Sequence, residues 1–374
     1  MKKCPNCNFA ENNDGAKFCS NCGAPLTDTG LLTKEFVDFS RLMRNNMLES
    51  VVENGCVITP CSWDYAGDFH EGLAWVEQYE QMGYIDITGN MVIPNKWKSA
   101  YNFSEGLAKV KNRDKELYID RKGDIVITCQ SGYCFGYDDG FHEGLAIIRD
   151  ENSRKYGFID KRGNIVIPCK WDSATSFVDG LASVSNENGK YGCIDKSGRL
   201  VIPCDYVEEI IFSESLGLTF SEDHTLYLNK SGQKVVELRT YDEASIFLEG
   251  LASICDYGFI DKKGQLVIDD KWCYGWDNGF YEGLAATESG YIDHTGRTVI
   301  ENVWENCHPF IEGLAMVEDG NKIGYIDHAG RQIIPCIWDS GNYFHEGFAV
   351  VRQEDKAYFI NKQGKVLCNV RRSY

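Results

Sequence analysis

From about residue 55 to the C-terminus, apolar and polar positions alternate in short runs that return at a steady interval. Each interval opens on phenylalanine (Phe69, Phe103, Phe141, Phe177, Phe247, Phe280, Phe310, Phe344). Two residues later stands an acidic residue before Gly-Leu-Ala or a close variant: Glu71-Gly72, Glu105-Gly106, Glu143-Gly144, Asp179-Gly180, Glu249-Gly250, Glu282-Gly283, Glu312-Gly313 and Glu346-Gly347. A degenerate copy is placed at Gly217-Leu218-Thr219, with Ser215-Leu216 read as inserted before it. Eight steps from Gly72 to Gly347 give a mean period of about 34 residues, the signature of a solenoid, a propeller or an array.

A second column reads aromatic, aliphatic, Asp or Asn, two variable residues, Gly. Its Asx/Gly positions are Asp86/Gly89, Asp120/Gly123, Asp160/Gly163, Asp195/Gly198, Asn229/Gly232, Asp261/Gly264, Asp293/Gly296, Asp327/Gly330 and Asn361/Gly364. Asx at i with Gly at i+3 predicts a type I turn capped by the Asx side chain. An apolar pair follows, as in Val92-Ile93, Val166-Ile167, Val267-Ile268 and Ile333-Ile334, and four residues after the isoleucine an aromatic such as Trp97, Trp171, Tyr206 or Trp338. Each unit therefore reads strand, loop, strand, tight turn, strand. The predicted fold is all-β: about nine short antiparallel three-stranded meanders over residues 55–374, stacked as an open, solenoid-like array. A closed β-propeller-like ring is the alternative. The shortest step, Gly283 to Gly313, spans 30 residues where a four-stranded blade takes about 40, and nine units exceed the usual four to eight blades.

Residues 27–54 carry a different period. Thr27, Asp28 and Thr29 are candidate N-caps, and Leu32, Phe36, Phe39, Met43 and Met47 recur at helical spacing, which predicts one amphipathic helix or linker. Before it, residues 1–26 contain Cys4, Cys7, Cys19 and Cys22 in a C-x2-C-x11-C-x2-C pattern. Two facing C-x-x-C turns make a tetrahedral thiolate cage, so one structural Zn2+ is expected on these four cysteines. A segment this short needs the metal to fold.

Composition narrows the function. Of 374 residues, 38 are Lys or Arg and 56 Asp or Glu, a net charge of −18 that argues against nucleic acid and anionic membranes as partners. The first 22 residues balance at +1, so the negative charge belongs to the rest. No run of ~18 apolar residues and no export signal occurs, so the expected location is cytoplasmic. An acidic residue repeated in eight units is a structural period rather than an active site, and no nucleotide-binding, metalloprotease or serine-hydrolase motif is present; no enzyme is expected. His70, His142 and His345 share one place beside the acidic column and are read as exposed polar positions. Cys61, Cys129, Cys169, Cys204 and Cys336 share another and are read as small buried residues.

Residues 4–22 resemble the short zinc ribbons at the N-termini of many bacterial proteins. The repeats resemble the WG (KWG) repeat family, with a consensus close to F-x-E-G-L-A-x-V, W-G-x-I-D, G-x-x-V-I-P. The family's Trp-Gly is mostly Tyr-Gly in this chain (Tyr156-Gly157, Tyr191-Gly192, Tyr257-Gly258). The resemblance implies a repeat fold found mostly in bacterial proteins. The expected function is a non-enzymatic protein–protein interaction scaffold with a basic protein partner; the alternative is a glycan- or cell-envelope-binding repeat protein.

Overall fold

A computed structural model describes residues 32–372 apart from 45–46, 55, 114, 137–139, 222, 240–243, 256, 270–278 and 288–289. Cys4, Cys7, Cys19 and Cys22, with the rest of the expected zinc ribbon, lie outside the described residues. The chain divides into two compact units. One contains the described residues up to Val126, with Met316–Asp327 and the chain from Arg331; the other contains Ile127–Ala315 and His328–Gly330.

In the second unit the fourth repeat shows the plan. Leu181–Ser185 pairs antiparallel with Tyr191–Asp195, which pairs with Leu200–Tyr206, and the short strand Ser173–Ala174 adds to the other side of Leu181–Ser185. The expected three-stranded meander is thus corrected to a four-stranded sheet in most repeats. After the third strand the chain turns back and pairs briefly with the far end of the next Gly-Leu-Ala strand (Ser173 opposite Ser185). The third, fifth and seventh repeats repeat this order, and the sixth keeps three strands plus an isolated Ala244–Ile254 bridge. Every residue of Leu181–Ser185 is buried, because this central strand is packed on both faces.

The fifth repeat corrects the reading of the degenerate copy. Leu216 pairs with Asn229 as Leu181 pairs with Asp195, so Glu214-Ser215-Leu216-Gly217 occupies the acidic-Gly-Leu-Ala register without insertion. Ser215 stands in the glycine place, at φ 71°.

The first unit holds the first repeat (Tyr65–Ala66, Leu73–Gln78, Gln81–Asp86, Met91–Trp97) and a seven-stranded sheet built on the ninth. In that sheet Ser340–Gly341, Phe348–Gln353, Lys356–Asn361 and Lys365–Arg372 are followed by Cys56–Pro60 and Val51–Glu53. The strand Leu32–Asp38 lies along the opposite edge of Lys365–Arg372. The single helix expected over 27–54 is therefore wrong: the chain forms this strand, one helical turn at Phe39–Leu42, and the short pair Met43–Arg44 and Met47–Leu48. The helical spacing of the apolar residues is real, but Lys365–Arg372 offers an edge that Leu32–Asp38 fills, and tertiary pairing outweighs local period.

Between repeats, an aromatic of one unit packs on the phenylalanine that opens the next. Ring centroids are 4.8 Å apart for Phe158–Phe177 and Tyr227–Phe247, 5.1 Å for Phe259–Phe280 and 4.9 Å for Tyr291–Phe310. In the first unit Tyr84–Phe103 and Phe359–Phe69 do the same at 4.9 and 5.0 Å. At Tyr84, Tyr227 and Tyr291 the hydroxyl donates to a backbone carbonyl of the next repeat: to Tyr101 at 2.7 Å, to Ser245 at 2.8 Å and to His308 at 2.8 Å. A buried phenol thus keeps a partner while its ring fills the seam.

Candidate binding surface

The acidic column forms hairpin turns. Glu71 and Gly72 both have positive φ (54° and 76°), and His70 and Leu73 exchange backbone hydrogen bonds across them, the geometry of a type I′ turn. A left-handed conformation costs a glutamate about 1–2 kcal/mol. The carboxylate uses the position to accept from the backbone of the next repeat. Within the second unit Glu143 accepts from Gly180 N–H, Asp179 from Ser215, Glu214 from Gly250, Glu249 from Gly283 and Glu282 from Gly313, at 2.9–3.3 Å. Within the first unit Glu71 accepts from Gly106 and Glu346 from Gly72. In the second unit the residue after the turn aspartate or asparagine pairs with the same carboxylate: Lys196 with Glu143 at 2.9 Å, Lys230 with Asp179 at 3.5 Å, Lys262 with Glu214 at 3.0 Å. His294 and His328 take this place against Glu249 and Glu282, both at 3.4 Å. The lysine beside Glu143 holds its carboxyl below the ordinary glutamate range. These carboxylates are struts between repeats.

The Asx column forms the expected turns. Asp160 Oδ1 accepts from the N–H of Arg162 and Asn164, and Gly163 N–H donates to the Asp160 carbonyl. The Asn164 side chain, bonding the Asp160 carboxylate, keeps its pKa low. His70 and His345 are brought together, rings stacked 5.4 Å apart, and His142 bridges locally to Leu145. All three are half-buried rather than exposed. Of the five cysteines in one register, only Cys61 is buried; Cys129, Cys169, Cys204 and Cys336 are half-buried, the last three on the third strand at the sheet's outer edge and Cys129 directly after it. Burial does raise the Cys169 and Cys204 thiols above their ordinary pKa, and pushes Cys193 up to about 12. Among the described residues no cluster of three or more His, Cys, Asp or Glu is placed to hold a metal.

The third strand carries a surface that sequence reading missed. Both members of its apolar pair count as core by pattern, yet only the second is buried, as in Ile93, Ile167, Ile202, Val236, Ile268, Ile300 and Ile334. The first faces solvent: Val92, Val166, Val235, Val267, Val299 and Ile333 are all exposed. The signal was present in the proline that lies within four of these strands (Pro94, Pro168, Pro203, Pro335), since proline in a sheet marks an edge or a bulge.

A family profile described as WG containing repeat matches residues 53–80, 82–115, 118–152, 156–191, 191–216, 227–255, 257–288, 290–322 and 323–356. The chain belongs to this family. Its nine WG repeats explain the glycine of the Tyr-Gly pair. A Cβ on Gly157 or Gly192 would sit 2.3 Å from the carbonyl oxygen of Ile167 or Ile202, where the third strand bulges against the second. No curated protein sequence matches the chain. Similar solved structures include a eukaryotic initiation factor (10% identity, TM-score 0.43, covering 92% of this chain and 98% of that one). The WD40 domain of SCAP from fission yeast is similar at 8% identity and TM-score 0.38, covering 86% of this chain and 99% of that one. BamB from Moraxella catarrhalis is similar at 12% identity and TM-score 0.33, covering 91% and 97%. No helix among the described residues is long and apolar enough to cross a membrane.

Proposed function

We propose that this WG-repeat chain is a non-enzymatic scaffold that binds a protein partner of basic charge. The observation that supports this best is the recurrence, in seven of the nine repeats, of an exposed aliphatic side chain on an outer strand of an acidic protein. Apolar positions shown to solvent at one place in most of the units suit contact with another protein. A negative field steers a basic partner and repels nucleic acid. Cys4, Cys7, Cys19 and Cys22 have the spacing to hold one Zn2+ as thiolates; the closed cage would fix the fold of the N-terminal segment and supply no chemistry.

Full-length protein immobilised in a native lysate, followed by cross-linking mass spectrometry, tests the reading. The expected result is a basic protein cross-linked through repeat lysines and released as salt rises toward ~1 M, where the Debye length falls to about 3 Å. Salt-insensitive, saturable binding to a neutral polysaccharide would replace it with the glycan-binding alternative. Tight binding to DNA or RNA at physiological salt would overturn both.

A further inference from the structure

The first repeat departs from its relatives where its Leu73–Gln78 and Gln81–Asp86 strands turn into each other. Gln78 pairs with Gln81, and the two loop residues Tyr79 and Glu80 both have positive φ, 54° and 59°. Such a turn favours Asn and Gly. The eighth repeat places Gly320-Asn321 there, at φ 57° and 59°. In the first repeat a bulky tyrosine holds the left-handed place, and it is 75% exposed. Its backbone is tied, the Tyr79 N–H donating to Asp64 Oδ2 at 3.0 Å. Its ring has no aromatic or cationic partner among the described residues.

Charge changes at the same end of the sheet. Glu77 ends the run Gly-Leu-Ala-x-Val-x, where the second, third and ninth repeats carry Lys111, Arg149 and Arg352. Two of these cations cap tyrosines: Arg149 lies over the Tyr156 ring at 5.5 Å, and Arg352 over Tyr65 at 4.8 Å. Lys109 caps Tyr101 in the same manner at 4.3 Å. Around Tyr79 the charge is of the other sign. Asp64 has Lys356 at 2.5 Å, but Glu77 and Glu80 have no ion pair among the described residues. Desolvation first, and then the neighbouring Asp64 and Glu80 carboxylates, raise the Glu77 carboxyl above its ordinary pKa. An uncapped tyrosine ring thus stands beside two carboxylates that lack a counter-charge.

We propose that this hairpin tip binds a lysine or arginine side chain of a basic protein, with the cation over the Tyr79 ring and against Glu77 and Glu80. The inference rests on the scaffold reading and names one contact of it. The cation is drawn to the negative face of the ring, as Arg352 is to Tyr65, and it supplies the charge that Glu77 and Glu80 lack. Presented on a tight turn, the ring protrudes as an interface anchor does. A sugar would also stack on Tyr79, but it brings no charge to the two carboxylates.

The probe is a hexa-arginine peptide bearing a fluorophore and a diazirine. Anisotropy against the full-length protein gives its affinity at ~0.15 M salt, where the Debye length is about 8 Å. Photocross-linking with mass spectrometry gives its place, expected at residues 77–82. Tyr79→Asn suits the turn better than the native residue. It should therefore raise the thermal midpoint while weakening binding about two- to fivefold, the range of an exposed cation–π contact. Glu77→Gln with Glu80→Gln should weaken binding about fivefold. Glu187→Gln with Glu209→Gln removes the same charge from other exposed positions and should leave affinity unchanged. Cross-links confined to other repeats, unchanged affinity in Tyr79→Asn, or an equal loss in the Glu187/Glu209 pair would each overturn the proposal. Salt-insensitive binding of cellohexaose that Tyr79→Asn abolishes would give the tip to a glycan instead. A basic partner captured equally by the native protein and by the variant carrying Tyr79→Asn, Glu77→Gln and Glu80→Gln would defeat this site and leave the scaffold reading standing.

Discussion

Two glycines of the fourth repeat stand in opposite circumstances, and replacing each by alanine separates crowding from backbone conformation. A Cβ on Gly192 would lie 2.3 Å from the Ile202 carbonyl oxygen and 2.7 Å from the Pro203 carbonyl, so the two strands must part by about 1 Å to reach ordinary contact. The obstacle is backbone, and Ile202 is fully buried with Gly232 of the following turn against its side chain. Overpacking against a held neighbour costs about 1–3 kcal/mol, and the upper end applies because ladder hydrogen bonds stretch as well. Gly180 has φ +84° and open space around its Cβ position. Alanine there costs about 1–2 kcal/mol of left-handed strain, offset by about 0.4–1 kcal/mol of lost unfolded-state entropy. Gly192→Ala should therefore lower the urea midpoint, followed by circular dichroism, more than Gly180→Ala does, and should speed hydrogen exchange along Leu200–Tyr206. Equal midpoints, or a larger loss from Gly180→Ala, would refute the close approach of the strands.

Acid should loosen the struts. Glu143 has a folded pKa below its unfolded value of about 4.3, so its contribution is complete above that value and is lost as pH falls through the folded one. The gap in thermal midpoint between the native protein and Glu143→Gln should be constant from pH 7 to 5 and close below pH 4; a gap that persists at pH 3 would contradict this. A chain lacking residues 1–26 should keep the thermal midpoint of the repeats, whereas a chain starting at residue 51 loses the strand against Lys365–Arg372 and should melt earlier; equal midpoints would mean the strand adds nothing. Elemental analysis should find one zinc per chain, abolished in a Cys4→Ser/Cys19→Ser variant.

What the sequence revealed was whatever recurs for a local reason. The Asx/Gly turns and the acidic-Gly hairpins depend on a few adjacent residues, so their pattern survives in the letters. The interval itself announced a shared core, and the Phe158–Phe177 seam and its equivalents are that core. Contacts decided at a distance stayed hidden. Nothing in Leu32, Phe36 and Phe39 says that a strand edge waits at Lys365–Arg372, and their helical spacing pointed elsewhere. In the fifth repeat Gly217 attracted the alignment, although Glu214 and Ser215 supply the turn through positive φ. The exposed valines were invisible for a related reason: alternation marks two faces of a strand, and burial depends on which face a neighbouring repeat covers.

The pairing of Leu32–Asp38 with Lys365–Arg372 joins segments more than three hundred residues apart. On a ribosome adding roughly 5–20 residues per second, the strand emerges and then waits on the order of tens of seconds for its mate. Meanwhile the first repeats to be made fold from contacts within and between adjacent units, and each offers an outer edge to the unclaimed strand. Pro94, Pro168 and Pro203 stand on three of the first four edges to appear, while Lys365–Arg372 has no proline and is synthesised after all of them. The order of synthesis and the placement of three prolines thus act as a timing device, keeping the N-terminal strand uncommitted until the correct edge exists.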